Sequence, residues 1–218
     1  MIFRQLFDPK SFTFSYIIGS EKTQEAVIID PVHGYFERDK KLIKELDLEL
    51  KWILETHCHI DHISGAFNLK EAFPEVKVGL PEYYGSEFAD INISEEDVFN
   101  IGEIRLKTIF TPGHTNGSFS YYTEGKVFTG DSLLIRSCGR TDLQGGNSEI
   151  LYNSVTQNLF SLPENTFIYP GHDYSGYLYS TIKEEKLYNP LFSGVTKSEF
   201  FSLLKNNKPV GNIQAVII

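Results

Sequence analysis

His57, His59, Asp61 and His62, four imidazole and carboxylate side chains able to bind a metal, fall within six consecutive residues. The run Glu55-Thr56-His57-Cys58-His59-Ile60-Asp61-His62 holds half of the six histidines in the chain. Imidazole and carboxylate together are ligands for zinc, iron or manganese. In an extended segment alternate side chains point the same way, so His57, His59 and Asp61 are expected on one side, with His62 brought round by a turn. A polar loop carrying surface histidines has the same composition, and a lone histidine is usually just a hydrogen-bonded one. Recurrence favours the metal site. His114 in Thr111-Pro112-Gly113-His114, Asp131 in Thr129-Gly130-Asp131 and His172 in Pro170-Gly171-His172-Asp173 repeat the same chemistry further along.

These groups need rigid elements to present them. Residues 2–8, 12–18 and 25–30 read as strands, from β-branched and aromatic content set between turn residues. Residues 35–47 read as a helix with apolar Phe36, Leu42, Ile43 and Leu46, its charge run a solvated face. A strand at 51–54, a helix at 65–73 and a strand at 76–78 follow. Residues 98–110 predict a hairpin turning at Gly102, and 119–122 with 126–129 a second one around Glu124-Gly125. A helix over 148–160 is capped by Asn147 or Ser148, and 167–169 is a strand. Thr196-x-x-Glu199 before Phe200, Phe201, Leu203 and Leu204 is a capping box opening an amphipathic helix. Four expected strand ends thus each deliver a histidine or aspartate, which is where rigid scaffolds present chemistry.

The chain has 218 residues, 41% hydrophobic and 14% aromatic, enough apolar mass for a real core. No apolar run approaches a membrane-spanning length, and the first ten residues carry Arg4, Asp8 and Lys10, unlike a signal peptide. A formal net charge of −9 repels phosphate backbones and anionic lipid, so no nucleic-acid or membrane partner is expected. Cys58 and Cys138 make no disulfide framework and read as thiols of a cytoplasmic protein. A single domain over 1–218 is expected.

The run from His57 to His62, the later lone His114, Asp131 and the final His172 resemble, in order and spacing, the metallo-β-lactamase superfamily. That resemblance implies an α/β (α+β) protein, an αββα sandwich of two mixed sheets flanked by helices. Residues 128–146 (FTGDSLLIRSCGRTDLQGG), then 151–155 (LYNSV), 168–177 (IYPGHDYSGY) and 180–190 (STIKEEKLYNP), resemble its persulfide dioxygenase branch. The branch carries a GCGRTD-type loop, here Ser137-Cys138-Gly139-Arg140-Thr141-Asp142. The match runs over 12–190.

By that resemblance one iron(II) is held by His57, His114 and Asp131. Such a triad leaves three positions of an octahedral ion for persulfide sulfur and O2. His59, Asp61, His62 and His172 are then outer partners, or the second metal site of hydrolytic relatives. Asp61 and Tyr174 are the implied catalytic groups. The implied reaction converts glutathione persulfide, O2 and water to sulfite and free thiol. Coenzyme A, bacillithiol or another small thiol is an alternative carrier, and a homodimer is in keeping with the family. The rival reading is a glyoxalase II-like thioester hydrolase with a dinuclear zinc site. Only 46 residues follow His172, short for the helical domain that such hydrolases carry. A third reading, a metal-binding module on a dead scaffold, sits poorly with a complete ligand set.

Arg140 is the candidate for gripping a substrate carboxylate, with Asp142 to hold it; the competing reading is a structural pair within the loop. Tyr174 is a candidate to reach the same cavity and donate a hydrogen bond, against plain packing. Arg136 is less telling. Cys58 is expected to point away from the histidines as a small packed residue. Cys138 is expected to be structural, although two nearby arginines favour a lowered thiol pKa. His33 reads as a surface or capping residue, and Gly145-Gly146-Asn147 as a turn and cap.

Overall fold

The structure is a computed structural model and describes residues 1–81, 88–143 and 145–206. The first sheet runs β1 (Ile2–Asp8), β2 (Thr13–Gly19), β3 (Glu25–Ile29), β4 (Glu49–Leu54), β5 (Lys77–Pro81) and β6 (Ile91–Ile93), paired in that order. The first three strands are antiparallel and β3 to β6 parallel. The second sheet contains β7 (Val98–Ile101), β8 (Ile104–Phe110), β9 (Phe119–Thr123), β10 (Lys126–Gly130), β11 (Phe167–Pro170) and β12 (Ser180–Thr181), again neighbours in sequence order. Only its β10–β11 pair is parallel.

Side-chain alternation sorts three apolar layers. Phe14, Tyr16 and Ile18 of β2, Val27 and Ile29 of β3 and Leu54 of β4 face Phe99, Leu106, Phe119, Tyr121 and Phe128 of the second sheet. Ile17, Ala26, Ile28 and Ile53 point the other way, against Ile43 of helix α1 (Phe36–Glu45) and Leu69 of α2 (Ala66–Ala72). Val127 and Ile168 pack outward against α3 (Ser148–Asn153), α4 (Ile182–Tyr188) and α5 (Lys197–Asn206). This is the αββα arrangement that the resemblance implied, with two mixed sheets.

The expected hairpins form, with Gly102 at φ +58° and Gly125 at φ +74° in their turns. The Thr196 box forms too: Thr196 N donates to Glu199 Oε2 at 2.8 Å. The expected helix over 148–160 opens at Asn147, whose side chain accepts from Glu149 N and Ile150 N, but it is helical in the α sense only to Asn153. A wider turn follows over Ser154–Asn158, then a 3₁₀ turn at Leu159–Ser161. There Ser154 Oγ donates to Pro112 O (2.7 Å) and Asn158 Nδ2 to Phe110 O (2.9 Å), so the widening lets the helix support the loop before His114. The sequence pattern missed β6, β12 and α4. For α4 a signal existed: Thr181 accepts from Glu184 N, the same Thr-x-x-Glu spacing as at Thr196.

Candidate metal centre

All four chemical loops leave carboxyl ends of strands at one edge of the sandwich. β4 delivers Glu55–His62, β8 delivers Thr111–His114, and the parallel pair β10–β11 sets Asp131 beside His172. Bonds across the two sheets fix their relation. Phe119 N donates to Thr56 O at 2.8 Å, Tyr121 OH to Glu55 O at 2.6 Å, and Tyr16 OH to Pro170 O at 2.5 Å.

His57, His114 and Asp131 each bring a ligand atom within 4.8 Å of the others. The hydrogen bonds decide which imidazole nitrogen faces inward. His114 Nδ1 must donate to the Arg140 carbonyl at 2.7 Å, so its lone pair is on Nε2, which lies 3.7 Å from Asp131 Oδ2. Thr56 Oγ1 donates to Asp30 Oδ2 at 2.8 Å and therefore accepts from His57 Nδ1 at 2.9 Å, placing that lone pair on Nε2 as well. Two Nε2 donors and a carboxylate oxygen, each oriented by an outer partner, fit a divalent transition metal. Gly139 lets the loop come this close: a Cβ there would meet Asp131 O at 2.4 Å and His114 Nδ1 at 2.7 Å.

The other expected residues divide between partners. His172 donates Nδ1 to Asp131 Oδ1 (2.7 Å) and Nε2 to Asp61 Oδ2 (2.8 Å), with Thr13 Oγ1 at 3.1 Å. Asp61 also accepts from His62 Nδ1 at 3.0 Å. His59, Asp61 and His62 form a second close group, and His62 Nε2 is buried with no hydrogen-bond partner among the described residues. The His59 ring lies 4.1 Å from that of His57, tilted against it, but turns Nε2 toward Glu55 (3.2 Å) and Asp30 (3.3 Å). Residues 55–62 are an irregular loop, so the single shared side expected for His57, His59 and Asp61 gives way to three separate partner sets.

Burial alone would protonate the carboxylates here and neutralise the histidines. It pushes Glu55 up to about 7 and His57 well below its ordinary value, helped there by His59. For Asp131 and Asp61 burial acts the same way but is overcome, chiefly by His172, and both lie below the usual carboxylate range. Burial likewise opposes protonation of His172, yet Asp131 and Asp61 carry it up to about 10. Both His172 nitrogens are thus engaged by carboxylates, Nδ1 by Asp131 and Nε2 by Asp61.

Beside the triad opens a cavity of about 310 Å³ lined by Ile60, Asp61, Leu134, Ile135, Ser137, Cys138, Arg140, Asp173 and Tyr174, among others. Arg140 Nε and Nη2 donate to Asp142 Oδ1 and Oδ2 at 2.6 and 2.7 Å, which keeps the Nη1 end of the fork for another anion. Tyr174 lies parallel to His172 at 6.0 Å, and burial raises its phenol, so it remains a proton donor. Cys138 is buried in this wall, and burial pushes its thiol up rather than down; Arg136 pairs with Glu184 and Glu185, and Arg140 with Asp142, rather than with the thiol. Cys58 is exposed rather than packed. His33 is a surface residue against Asn68 Oδ1 (2.6 Å). Asp30, Thr56 and Thr13 were missed. The strand-end logic applied to the end of β3 would have found Asp30; nothing in the pattern marks Thr56 or Thr13.

The sequence pattern of the Metallo-beta-lactamase superfamily matches residues 8–172. The chain belongs to that superfamily. It is 43% identical over 208 residues to the persulfide dioxygenase ETHE1 of Mus musculus, covering 94% of this chain and 81% of that one. The crystal structure of ETHE1 from Myxococcus xanthus superposes with a TM-score of 0.92 at 43% identity, over 98% of this chain and 94% of that one. A probable hydroxyacylglutathione hydrolase of Schizosaccharomyces pombe is 35% identical over 170 residues, 74% of this chain and 64% of its own. Among the described residues no helix is long and apolar enough to cross a membrane.

Proposed function

We propose that this enzyme is an iron(II) persulfide dioxygenase that oxidises the outer sulfur of glutathione persulfide, or of a similar small-thiol persulfide. Both atoms of O2 and the oxygen of water end on that sulfur, the S–S bond breaks, and sulfite, free thiol and two protons leave. The observation that carries this reading is the three-donor set His57, His114 and Asp131, beside a largely apolar cavity, with His172 engaged at both nitrogens. Its 43% identity to a persulfide dioxygenase supports it. When bound there, iron supplies the redox chemistry that zinc lacks.

The chain's own residues do the rest. Ile60, Leu134 and Ile135 exclude water from the cavity. Arg140 offers its Nη1 end to a substrate carboxylate while Asp142 holds the fork still. Tyr174 keeps its proton and donates a hydrogen bond toward the reacting sulfur. Asp61, an ionised carboxylate, orients His62 and His172. The second cluster of His59, Asp61 and His62 favours a rival reading, a dinuclear thioester hydrolase. Metal analysis of anaerobically purified protein separates them. About one iron per chain with iron-dependent O2 uptake is expected; full activity with zinc alone, or two metals with thioesterase activity, overturns the proposal.

A further inference from the structure

Phe12 has a backbone φ of +61°, in the left-handed region where side chains other than glycine are strained. The residue is 41% exposed, so burial does not account for an aromatic at this turn. The turn lies between β1 and β2 and is stitched to the strand end that carries His172. Phe14 N donates to Gly171 O (2.8 Å), Asp173 N donates to Phe12 O (3.2 Å), and Thr13 bridges His172. That stitching sets the Phe12 ring 5.3 Å from Tyr174, with Phe7 behind it at 6.3 Å. Tyr174 lies parallel to His172 and lines the cavity. The rings of Phe7, Phe12 and Tyr174 thus form a partly exposed series that ends against His172.

We propose that Phe12 is a positioning residue for substrate selection. It backs the half-exposed ring of Tyr174, which then forms a fixed flank against which the organic part of the thiol carrier packs. The inference rests on the reading of the cavity as a persulfide site. Strained backbone persists where the surroundings impose it, and it clusters at sites of function. A large carrier such as glutathione reaches this flank; a small one such as cysteine persulfide barely touches it.

Three variants separate the ring from the strain. Phe12→Ala loses the ring and keeps the strained backbone, Phe12→Gly loses both, and Phe12→Tyr keeps both. Melting temperature, metal content and O2-uptake kinetics would be measured for each with the persulfides of glutathione and cysteine. The glycine variant is expected to melt above the alanine variant. Both should show the same rise in KM for glutathione persulfide, about 3- to 10-fold, the scale of one aromatic pair. kcat and metal content should not change, and the rise should be smaller for cysteine persulfide. Phe12→Tyr should match the wild type. An unchanged KM in both variants overturns the proposal. So does a KM that follows melting temperature, with glycine restored and alanine impaired. Wild type without persulfide-dependent O2 uptake refutes the reading of the site instead. Glutathione binding by calorimetry tests the flank separately: it weakens equally in the alanine and glycine variants, or the proposal is wrong.

Discussion

Replacing Thr56 by valine breaks the relay that sets the His57 tautomer while leaving the shape of the site nearly intact. Thr56 is 1% exposed, and the two side chains differ mainly in the hydroxyl. That hydroxyl donates to Asp30 Oδ2 at 2.8 Å and accepts from His57 Nδ1 at 2.9 Å. The backbone bond from Thr56 N to Asp30 Oδ1, 2.7 Å, survives the change. A buried hydrogen bond to a charged group is worth about 1.5–3 kcal/mol, so the metal-free protein should lose about 2 kcal/mol in urea unfolding. With its Nδ1 proton unheld, His57 is a poorer ligand, and loss of such a partner weakens metal binding by about 10–100-fold, or ~1.4–2.8 kcal/mol. Competition against a chelator under anaerobic conditions measures this directly. Thr56→Ser is the control. It keeps the hydroxyl and removes only a methyl group, about 1 kcal/mol of stability, so its metal affinity should stay near wild type. The relay is refuted if the valine variant holds metal as tightly as the wild type, or if the serine variant loses as much as valine.

Two other outcomes are expected. Arg140→Lys should raise KM for glutathione persulfide by about tenfold, as the planar fork is lost. Metal content should hold, because His114 is met by the backbone carbonyl of residue 140 and not by its side chain. Metal loss in that variant would instead assign Arg140 to holding the loop together. An alkylating reagent at pH 8 should label Cys58 alone in the native protein and Cys138 only after unfolding, since Cys58 is exposed and burial raises the Cys138 thiol. Mass spectrometry counts the adducts, and two on the native protein would contradict the placement of Cys138 in the cavity wall.

Much of this molecule is determined locally and is therefore readable from the chain. A run such as Ala26–Ile29 reads as a buried strand, because both faces of the residue series are apolar. The polar residues that follow the strands then sit at strand ends, and so His57, His114, Asp131 and His172 were expected together. The Thr196 box and the Asn147 cap are equally local, settled within one turn of helix. What a linear pattern cannot hold is a partner chosen across space. Whether His59 turns to the metal triad or to Asp30 and Glu55 depends on where β3 ends beside β4. Asp131 and His172 meet because β10 and β11 run parallel and end side by side, with a one-residue register shift between Phe128 and Gly130, and Thr56 becomes a relay because Asp30 lies across from it. Alternation along residues 55–62 failed for the same reason: once the strand ends, the ladder no longer dictates direction, and each side chain follows its own nearest charge. Cys58 is exposed and Cys138 buried although both stand among polar neighbours in the chain, because exposure is decided by which layer covers a loop. The ring of Phe12 reaches Tyr174 only through the bonds that tie the first turn of the chain to Gly171 and Asp173, about 160 residues later in sequence.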